Sequence, residues 1–136
     1  MSLVVRVYDV GLSVCRLPAG AEAPVEILRH PFSAFFRTRD EVTLVCPTDL
    51  VPEDVQAEHG FIPFGLVGPF PFELTGILTQ VADPLAAAGV SIVALSSFDT
   101  DYVLIKAPQR SQAIDALRQA GHSVEEDGRL PGDEGT

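Results

Sequence analysis

The spacing of apolar residues predicts one long helix in the second half of the chain. Five of them occupy positions i, i+3, i+4, i+7 and i+11: Leu74, Ile77, Leu78, Val81 and Leu85. This spacing places them on one face of an α-helix, as in a helix that packs against a core. Pro84 is expected to kink the helix because it removes one backbone hydrogen bond, and Gly89 is expected to end it.

Strand-like segments alternate with this helix and with a second one. The predicted elements of this half are strand 61–67, helix 74–88, strand 90–98, strand 102–105, helix 108–120 and strand 122–124. The order strand, helix, strand, strand, helix, strand is typical of the split βαβ motif. That motif forms one antiparallel sheet with both helices on one face, so the pattern predicts an α+β fold.

The first half of the chain shows a looser copy of this pattern. Its predicted elements are strand 3–8, strand 12–17, a short helix 22–29, a hairpin of strands 34–37 and 42–46, a short helix starting at residue 48 or 49, and a polar connection around 58–60. The sequence therefore predicts two ferredoxin-like βαββαβ units, residues 1–60 and 61–126, each an antiparallel sheet with helices on one face. Strand 3–8 can instead complete the second unit, with the first unit nested inside it. Residues 127–136 are acidic and rich in Gly, and they are predicted to form a flexible tail.

Composition and charge narrow the classes of function. Of the 136 residues, 46% are hydrophobic, which is enough for a core. The formal net charge is −10 and no basic stripe is visible, so nucleic acid is not an expected partner. The longest apolar run, residues 84–95, is shorter than the roughly 20 residues that cross a bilayer, so no membrane segment is expected. Cys15 and Cys46 lie in apolar segments, which indicates buried free thiols and a reducing, cytoplasmic location.

Two segments of the second half carry groups that suit a zwitterion. The start of the predicted helix, with Thr75 and Gly76, offers unpaired N–H groups and a partial positive charge, which suit a carboxylate. The turn Asp99-Thr100-Asp101 offers two carboxylates, which suit an ammonium group. Taken singly, the first segment is better explained by ordinary helix capping and the second by ordinary turn chemistry.

The residue types needed for catalysis or for a cofactor are not arranged in any motif. His30, His59 and His122 are too scattered for a metal site, and a surface or capping role is expected for each. Ser96-Ser97 lacks the glycines of a nucleophile elbow. Neither a Walker loop nor a dinucleotide fingerprint is present. We therefore expect no enzyme, no metal and no cofactor.

Four segments of the chain resemble a known family. The runs 68–78, 84–92 and 95–104 resemble ACT domains, and residues 35–46 fit the same pattern in the first half. The similarity is greatest to small stand-alone tandem ACT proteins of bacteria, which in turn resemble the ACT regions of aspartate kinases and the animal cytosolic arginine sensors. This resemblance implies two ACT units that bind a free amino acid at an interface between units, usually in order to regulate another activity.

The leading hypothesis is thus a non-enzymatic regulatory or sensor module for a free amino acid, with a homodimer as the expected assembly because such sheets have exposed edges. The candidate ligand-binding residues are Gly68, Thr75, Gly76, Ile77, Ser97, Phe98, Asp99, Thr100 and Asp101. The alternative is a protein–protein interaction or oligomerisation module that binds no small molecule and pairs through an open sheet edge.

Overall fold

The structure, a computed structural model, describes residues 1–129, which form eight β-strands, two α-helices and three short 3₁₀ helices. The strands are β1 Val4–Tyr8, β2 Leu12–Leu17, β3 Ala34–Arg37, β4 Val42–Pro47, β5 Gln56–Leu66, β6 Val93–Ser96, β7 Asp101–Lys106 and β8 Ser123–Gly128. The α-helices are α1 Ile77–Ala87 and α2 Arg110–Gln119, and the 3₁₀ helices are Ile27–Arg29, Thr48–Leu50 and Ala107–Gln109.

The chain divides into two units, one nested in the sequence of the other. The C-terminal unit contains Met1–Asp9 and Ile62–Gly128, and the nested unit contains Val10–Phe61. The first strand thus completes the C-terminal unit, which differs from the assignment of residues 1–60 to a single unit. The physical reason is pairing, because β1 binds β5 on one side and β8 on the other.

In the C-terminal unit the strand order is β6-β7-β5-β1-β8. Strand β1 is antiparallel to β5 but parallel to β8, with Val5 opposite both Leu66 and Val124. The sheet is therefore mixed, whereas the sequence predicted an antiparallel one. Helices α1 and α2 bury their apolar faces with strand residues in one core. Its members include Val5, Phe64, Ile77, Val81, Leu85, Val103, Ile105, Ile114 and Leu117.

Helix α1 begins three residues later than Leu74, the first residue of the predicted apolar face. Gly76 lies immediately before it with φ of 79°, a left-handed conformation that glycine adopts without steric cost and that interrupts helical hydrogen bonding. Leu74 is exposed, whereas the predicted core positions Ile77, Val81 and Leu85 are buried. The helical periodicity therefore predicted the buried face correctly but placed the start too early.

In the nested unit the strand order is β3-β4-β2-β5, and short 3₁₀ helices stand where the motif has α-helices. The helix predicted at 22–29 is reduced to Ile27–Arg29. Pro24 disfavours a helical conformation for the residue before it, and Pro31 does the same for His30, so the helix is limited at both ends. The core of this unit contains Cys15, Leu17, Val42, Leu44 and Cys46. Both cysteines are buried and form no disulfide, as expected.

The polar connection predicted around residues 58–60 is part of strand β5. Glu58 lies opposite Val14 and Phe61 lies opposite Leu12, so β5 has one residue more than β2 over this interval. Gly60, with φ of 82°, lies within this irregularity. A β-bulge of this kind lets the strand continue through a polar segment that sequence pattern alone marks as a loop.

Strand β8 extends into the predicted tail. Gly128 lies opposite Tyr8, and its carbonyl accepts a hydrogen bond of 3.2 Å from the Asp9 N–H. Asp127 and Gly128 are therefore strand residues and not part of a flexible segment. The rest of the predicted tail, from residue 130 to 136, lies outside the described residues. Within residues 1–129, neither helix has the length and apolar character needed to cross a bilayer.

Candidate functional site

A cleft of about 240 Å³ opens in the C-terminal unit between the segment before α1 and the turn that joins β6 to β7. Six of the nine predicted ligand-binding residues line it: Ile77, Ser97, Phe98, Asp99, Thr100 and Asp101. Five residues that are not among the predicted ligand-binding residues also line it: Phe70, Pro71, Phe72, Leu74 and Ser96. The helix start and the acidic turn, which are separate in sequence, therefore meet at one cleft.

The β6–β7 turn is fixed by hydrogen bonds within itself and to strand β5. The Ser97 N–H donates to the Thr100 carbonyl at 2.8 Å, and the Ser97 hydroxyl accepts from the Thr100 N–H at 3.2 Å. The Thr100 hydroxyl donates to the Leu66 carbonyl at 2.6 Å. Ser97 and Thr100 thus hold the turn in one position, which keeps the neighbouring carboxylates in place.

The two carboxylates at the turn have different surroundings. Asp101 is the first residue of β7, and its Oδ1 accepts a hydrogen bond from the Ser96 hydroxyl opposite it. Asp99 lies in the turn, where its main-chain carbonyl accepts from the Phe70 N–H at 2.9 Å and so joins the turn to the loop before α1. Asp99 also acts on Tyr102. Burial is the largest cause that raises the pKa of Tyr102, and the charges of Tyr8 and Asp99 raise it further. Asp99 and Asp101 both line the cleft.

Gly68 lies beside the hydrogen bond that joins this loop to the turn, and it does not line the cleft. A Cβ at Gly68 would lie 3.1 Å from both the Asp99 carbonyl oxygen and the Phe70 nitrogen, the two atoms of the joining hydrogen bond. A larger residue would push the loop away from the turn. Gly68 therefore acts on the shape of the cleft and not as a lining residue.

Thr75 and Gly76 lie beside the cleft but do not line it. Gly76 is the residue before the helix, so Thr75 is one position too early to cap it, and no side chain caps this end. The Thr79 hydroxyl donates to the Gly76 carbonyl at 2.8 Å. The first N–H groups of an α-helix have no partner within the helix, and Ile77 at this end lines the cleft.

Two aromatic rings stand at the cleft in an exposed position. The Phe72 and Phe98 side chains are 75% and 79% exposed, and their ring centroids are 5.3 Å apart. Exposed phenylalanines are costly to leave in water, and a pair of them beside a cleft marks a surface that a ligand can cover. The signal available in the sequence was the position of the two residues, since Phe72 lies in a predicted loop and Phe98 is the last residue of predicted strand 90–98.

The charge of the lining is negative. Among residues 1–129, Asp99 and Asp101 are the two ionisable residues that line the cleft, and no Lys, Arg or His of this range lines it. Within the part of the chain that the structure describes, no group of three or more His, Cys, Asp or Glu side chains could hold a metal ion. The arrangement brings two carboxylate-bearing residues and the first residue of α1 to one cleft.

The nested unit has the strand order β3-β4-β2-β5, and the C-terminal unit packs two helices on its sheet. These features define a protein of two ferredoxin-like units. Residues 56–119 match the family model of the ACT domain. A protein of Agobacterium tumefaciens is 31% identical, with a TM-score of 0.87, over 94% of this chain and 96% of its own. The chain belongs to the ACT domain family, and its two units are tandem ACT units.

Other solved structures share the fold. A Vibrio cholerae protein of unknown function, described as a possible transport protein, is 20% identical over 88% of this chain and 90% of its own, with a TM-score of 0.69. The regulatory subunit of aspartate kinase from Thermus flavus is 14% identical over 88% of this chain and 97% of its own, with a TM-score of 0.57. The search of curated proteins gives no significant match.

Proposed function

We propose that this protein is a non-enzymatic regulatory module that binds a free amino acid in the cleft between α1 and the β6–β7 turn. The observation that carries the proposal is the meeting of the helix start at Ile77 with Asp99 and Asp101 in one cleft of about 240 Å³. An amino acid needs donors for its carboxylate and acceptors for its ammonium group at a short separation. The cleft supplies both.

In this proposal the α-carboxylate lies against the N–H groups at the start of α1. These groups carry the positive end of the helix dipole, and Gly76 leaves them open because it has no side chain. The ammonium group donates to Asp101, with Asp99 as a second acceptor. Charge-assisted hydrogen bonds of this type are stronger than neutral ones. Phe72 and Phe98 cover the side chain of the bound amino acid.

A regulatory role follows from what the family does elsewhere and from the chemistry of the cleft. The solved relative from Thermus flavus is a regulatory subunit of an enzyme, and a separate subunit can act only through a partner. The cleft combines two carboxylates with phenylalanines and small hydroxyl residues, without an activated nucleophile or an acid–base pair. Binding, and not turnover, is the activity this set of side chains supports.

A thermal-shift screen of the intact protein against the 20 common amino acids tests the proposal. A ligand at 100 times its Kd stabilises the folded state by roughly 2.7 kcal/mol, so one amino acid or one chemical class should raise the Tm by several degrees. Calorimetry on that ligand then gives its Kd. A flat screen, with every amino acid at high millimolar concentration, would overturn the proposal.

The second candidate function is oligomerisation through an open sheet edge. Strand β3 lies at one end of the described strand order, and Phe36 on it is 65% exposed. An exposed edge with an apolar side chain is a surface that a second strand can cover. We expect a two-fold homodimer by light scattering, and Phe36→Lys should shift it towards monomer if β3 forms the interface. A monomer at high micromolar concentration would overturn the expectation.

A further inference from the structure

The two hairpins of the protein have the same register, residue for residue. In the nested unit the last pair before the turn is Arg37 opposite Val42, and in the C-terminal unit it is Ser96 opposite Asp101. Four pairs can be matched in each hairpin, and the turn has four residues in both cases, 38–41 and 97–100. Position 37 of one unit therefore corresponds to position 96 of the other.

The hydrogen bonds of the two turns also correspond. The Thr38 N–H donates to the Glu41 carbonyl at 2.9 Å, as the Ser97 N–H does to the Thr100 carbonyl at 2.8 Å. The Thr38 hydroxyl accepts from the Glu41 N–H at 3.2 Å, and the Ser97 hydroxyl accepts from the Thr100 N–H at the same distance. The turns are thus built alike although their sequences differ.

The difference between the units lies in the side chains beside the turn. In the C-terminal unit Ser96 is short and Asp101 faces the cleft. In the nested unit Val42 is buried, and the guanidinium of Arg37 reaches the loop after β2. Its Nη1 donates to the Ala19 carbonyl at 2.6 Å, its Nη2 donates to the Ala21 carbonyl, and its Cζ lies 5.3 Å from the centroid of the Phe35 ring.

We infer that the nested unit contains a guanidinium site, the counterpart of the cleft, and that the chain's own Arg37 occupies it. The loop carbonyls of Ala19 and Ala21 and the face of Phe35 are its three recognition elements. A planar guanidinium offers paired donors in a fixed fork and a flat face that stacks on an aromatic ring, and a compact ammonium group has neither of these features. Each chain therefore presents one open ligand cleft and one guanidinium site that its own side chain occupies.

Chemical rescue of Arg37→Ala tests this inference without any knowledge of the natural ligand. The substitution empties the site, and the Tm should fall by about 3 °C or more as the 18–21 loop loses two charged hydrogen bonds. Millimolar ethylguanidinium should restore part of this loss in Arg37→Ala and leave the wild-type Tm unchanged. Methylammonium should not restore it. Hydrogen exchange of the Ala21 N–H, which donates to the Pro18 carbonyl at 2.9 Å, reports on the loop itself.

Arg39→Ala is the matched control. Arg39 is in the same turn, its side chain is 95% exposed, and it forms an ion pair with its neighbour Asp40 at 3.9 Å. Its removal should change neither the Tm nor the exchange of the Ala21 N–H. The inference is wrong if Arg37→Ala melts like Arg39→Ala, or if ethylguanidinium changes the Tm of wild type and Arg37→Ala alike.

Discussion

The His122 Nε2 donates a hydrogen bond of 2.8 Å to the main-chain carbonyl of Gln80, inside helix α1. In a regular helix this carbonyl would accept from the N–H of residue 84, but Pro84 has none. The His122 Nδ1 accepts from the Leu3 N–H at 3.0 Å, so Nε2 carries the proton. His122 is 6% exposed, which corrects the expectation of a surface position, and it repairs the defect that Pro84 makes.

Replacing His122 should therefore be costly, and the cost should depend on Pro84. His122→Ala leaves the Leu3 N–H and the Gln80 carbonyl without this partner, and we expect a loss of about 2–4 kcal/mol in the free energy of unfolding, measured with urea. Pro84→Ala supplies a backbone N–H for Gln80, so His122→Ala should cost about 1 kcal/mol less in that background. Equal costs in the two backgrounds would contradict the repair.

This pair also shows where sequence reasoning reached its limit. The apolar face of α1 and the β6–β7 hairpin were predicted because their signals are local: a helical period, and two β-rich runs around Asp99-Thr100-Asp101. The insertion of β1 between β5 and β8 was left open, because it depends on pairings such as Val5 with Val124 that lie far apart in sequence. No local pattern reports such a pairing.

The site was likewise predictable where its signals are local in sequence, and not where it depends on pairing between strands. The acidic turn was identified from its residue types, and its three predicted residues, Asp99 to Asp101, line the cleft together with the preceding Ser97 and Phe98. The predicted helix start included Thr75, but the left-handed conformation of Gly76 places the start of α1 after it, at Ile77. The role of Ser96 depends on its cross-strand position opposite Asp101, which only the register reveals.

Asp101 is the residue whose removal should weaken amino-acid binding most directly. Asp101→Ala should cost about 1.5–3 kcal/mol in binding, or roughly a 10- to 150-fold rise in Kd, because it removes a charged acceptor. Calorimetry with the amino acid found in the screen measures it. Asp83→Ala, on an exposed position of α1, is the control and should bind as wild type does. Gly76→Val is a poorer probe, because φ of 79° strains a β-branched residue and weakens the fold itself.

The buried thiols predict a loss of stability at alkaline pH. Burial, followed by the neighbouring Cys15, raises the pKa of Cys46 to about 11, and burial also raises the pKa of Cys15. The folded state therefore holds a proton that the unfolded state has lost, so stability falls as the pH rises from about 9 to about 11. The slope from one thiol is at most about 1.4 kcal/mol per pH unit.

Urea unfolding at several pH values measures this slope. Cys46→Ala should show a shallower decline than wild type over the same range, although its stability at neutral pH is lower because a buried side chain is lost. Parallel curves for the two proteins would show that Cys46 does not carry the effect. Both thiols of the native protein should also resist alkylation until the protein is unfolded.

The end of β8 defines how far the chain can be shortened. A chain that ends at Arg129 keeps the Asp9–Gly128 hydrogen bond and the pairing of Gly128 with Tyr8, whereas a chain that ends at Glu126 loses both. We expect the chain that ends at Glu126 to melt at least a few degrees below the one that ends at Arg129, since about 1 kcal/mol shifts the Tm of a chain this size by several degrees. Identical melting curves would show that the last strand pair contributes nothing.

Transfer of the arginine from one hairpin to the other should close the cleft. Ser96 corresponds in register to Arg37, and Ser96→Arg places a guanidinium beside Asp101 and within the space that the proposed amino acid fills. The new side chain competes for the carboxylate that would receive the ligand's ammonium group, so the Kd should rise more than about tenfold. The Tm should stay near the wild-type value or increase, because the added cation lies among acidic groups.

Ser96→Ala is the matched control, since it removes the hydroxyl that orients Asp101 but leaves the cleft open, and its Kd should rise only a few-fold. If Ser96→Arg binds the amino acid as tightly as Ser96→Ala does, the ligand does not enter this cleft.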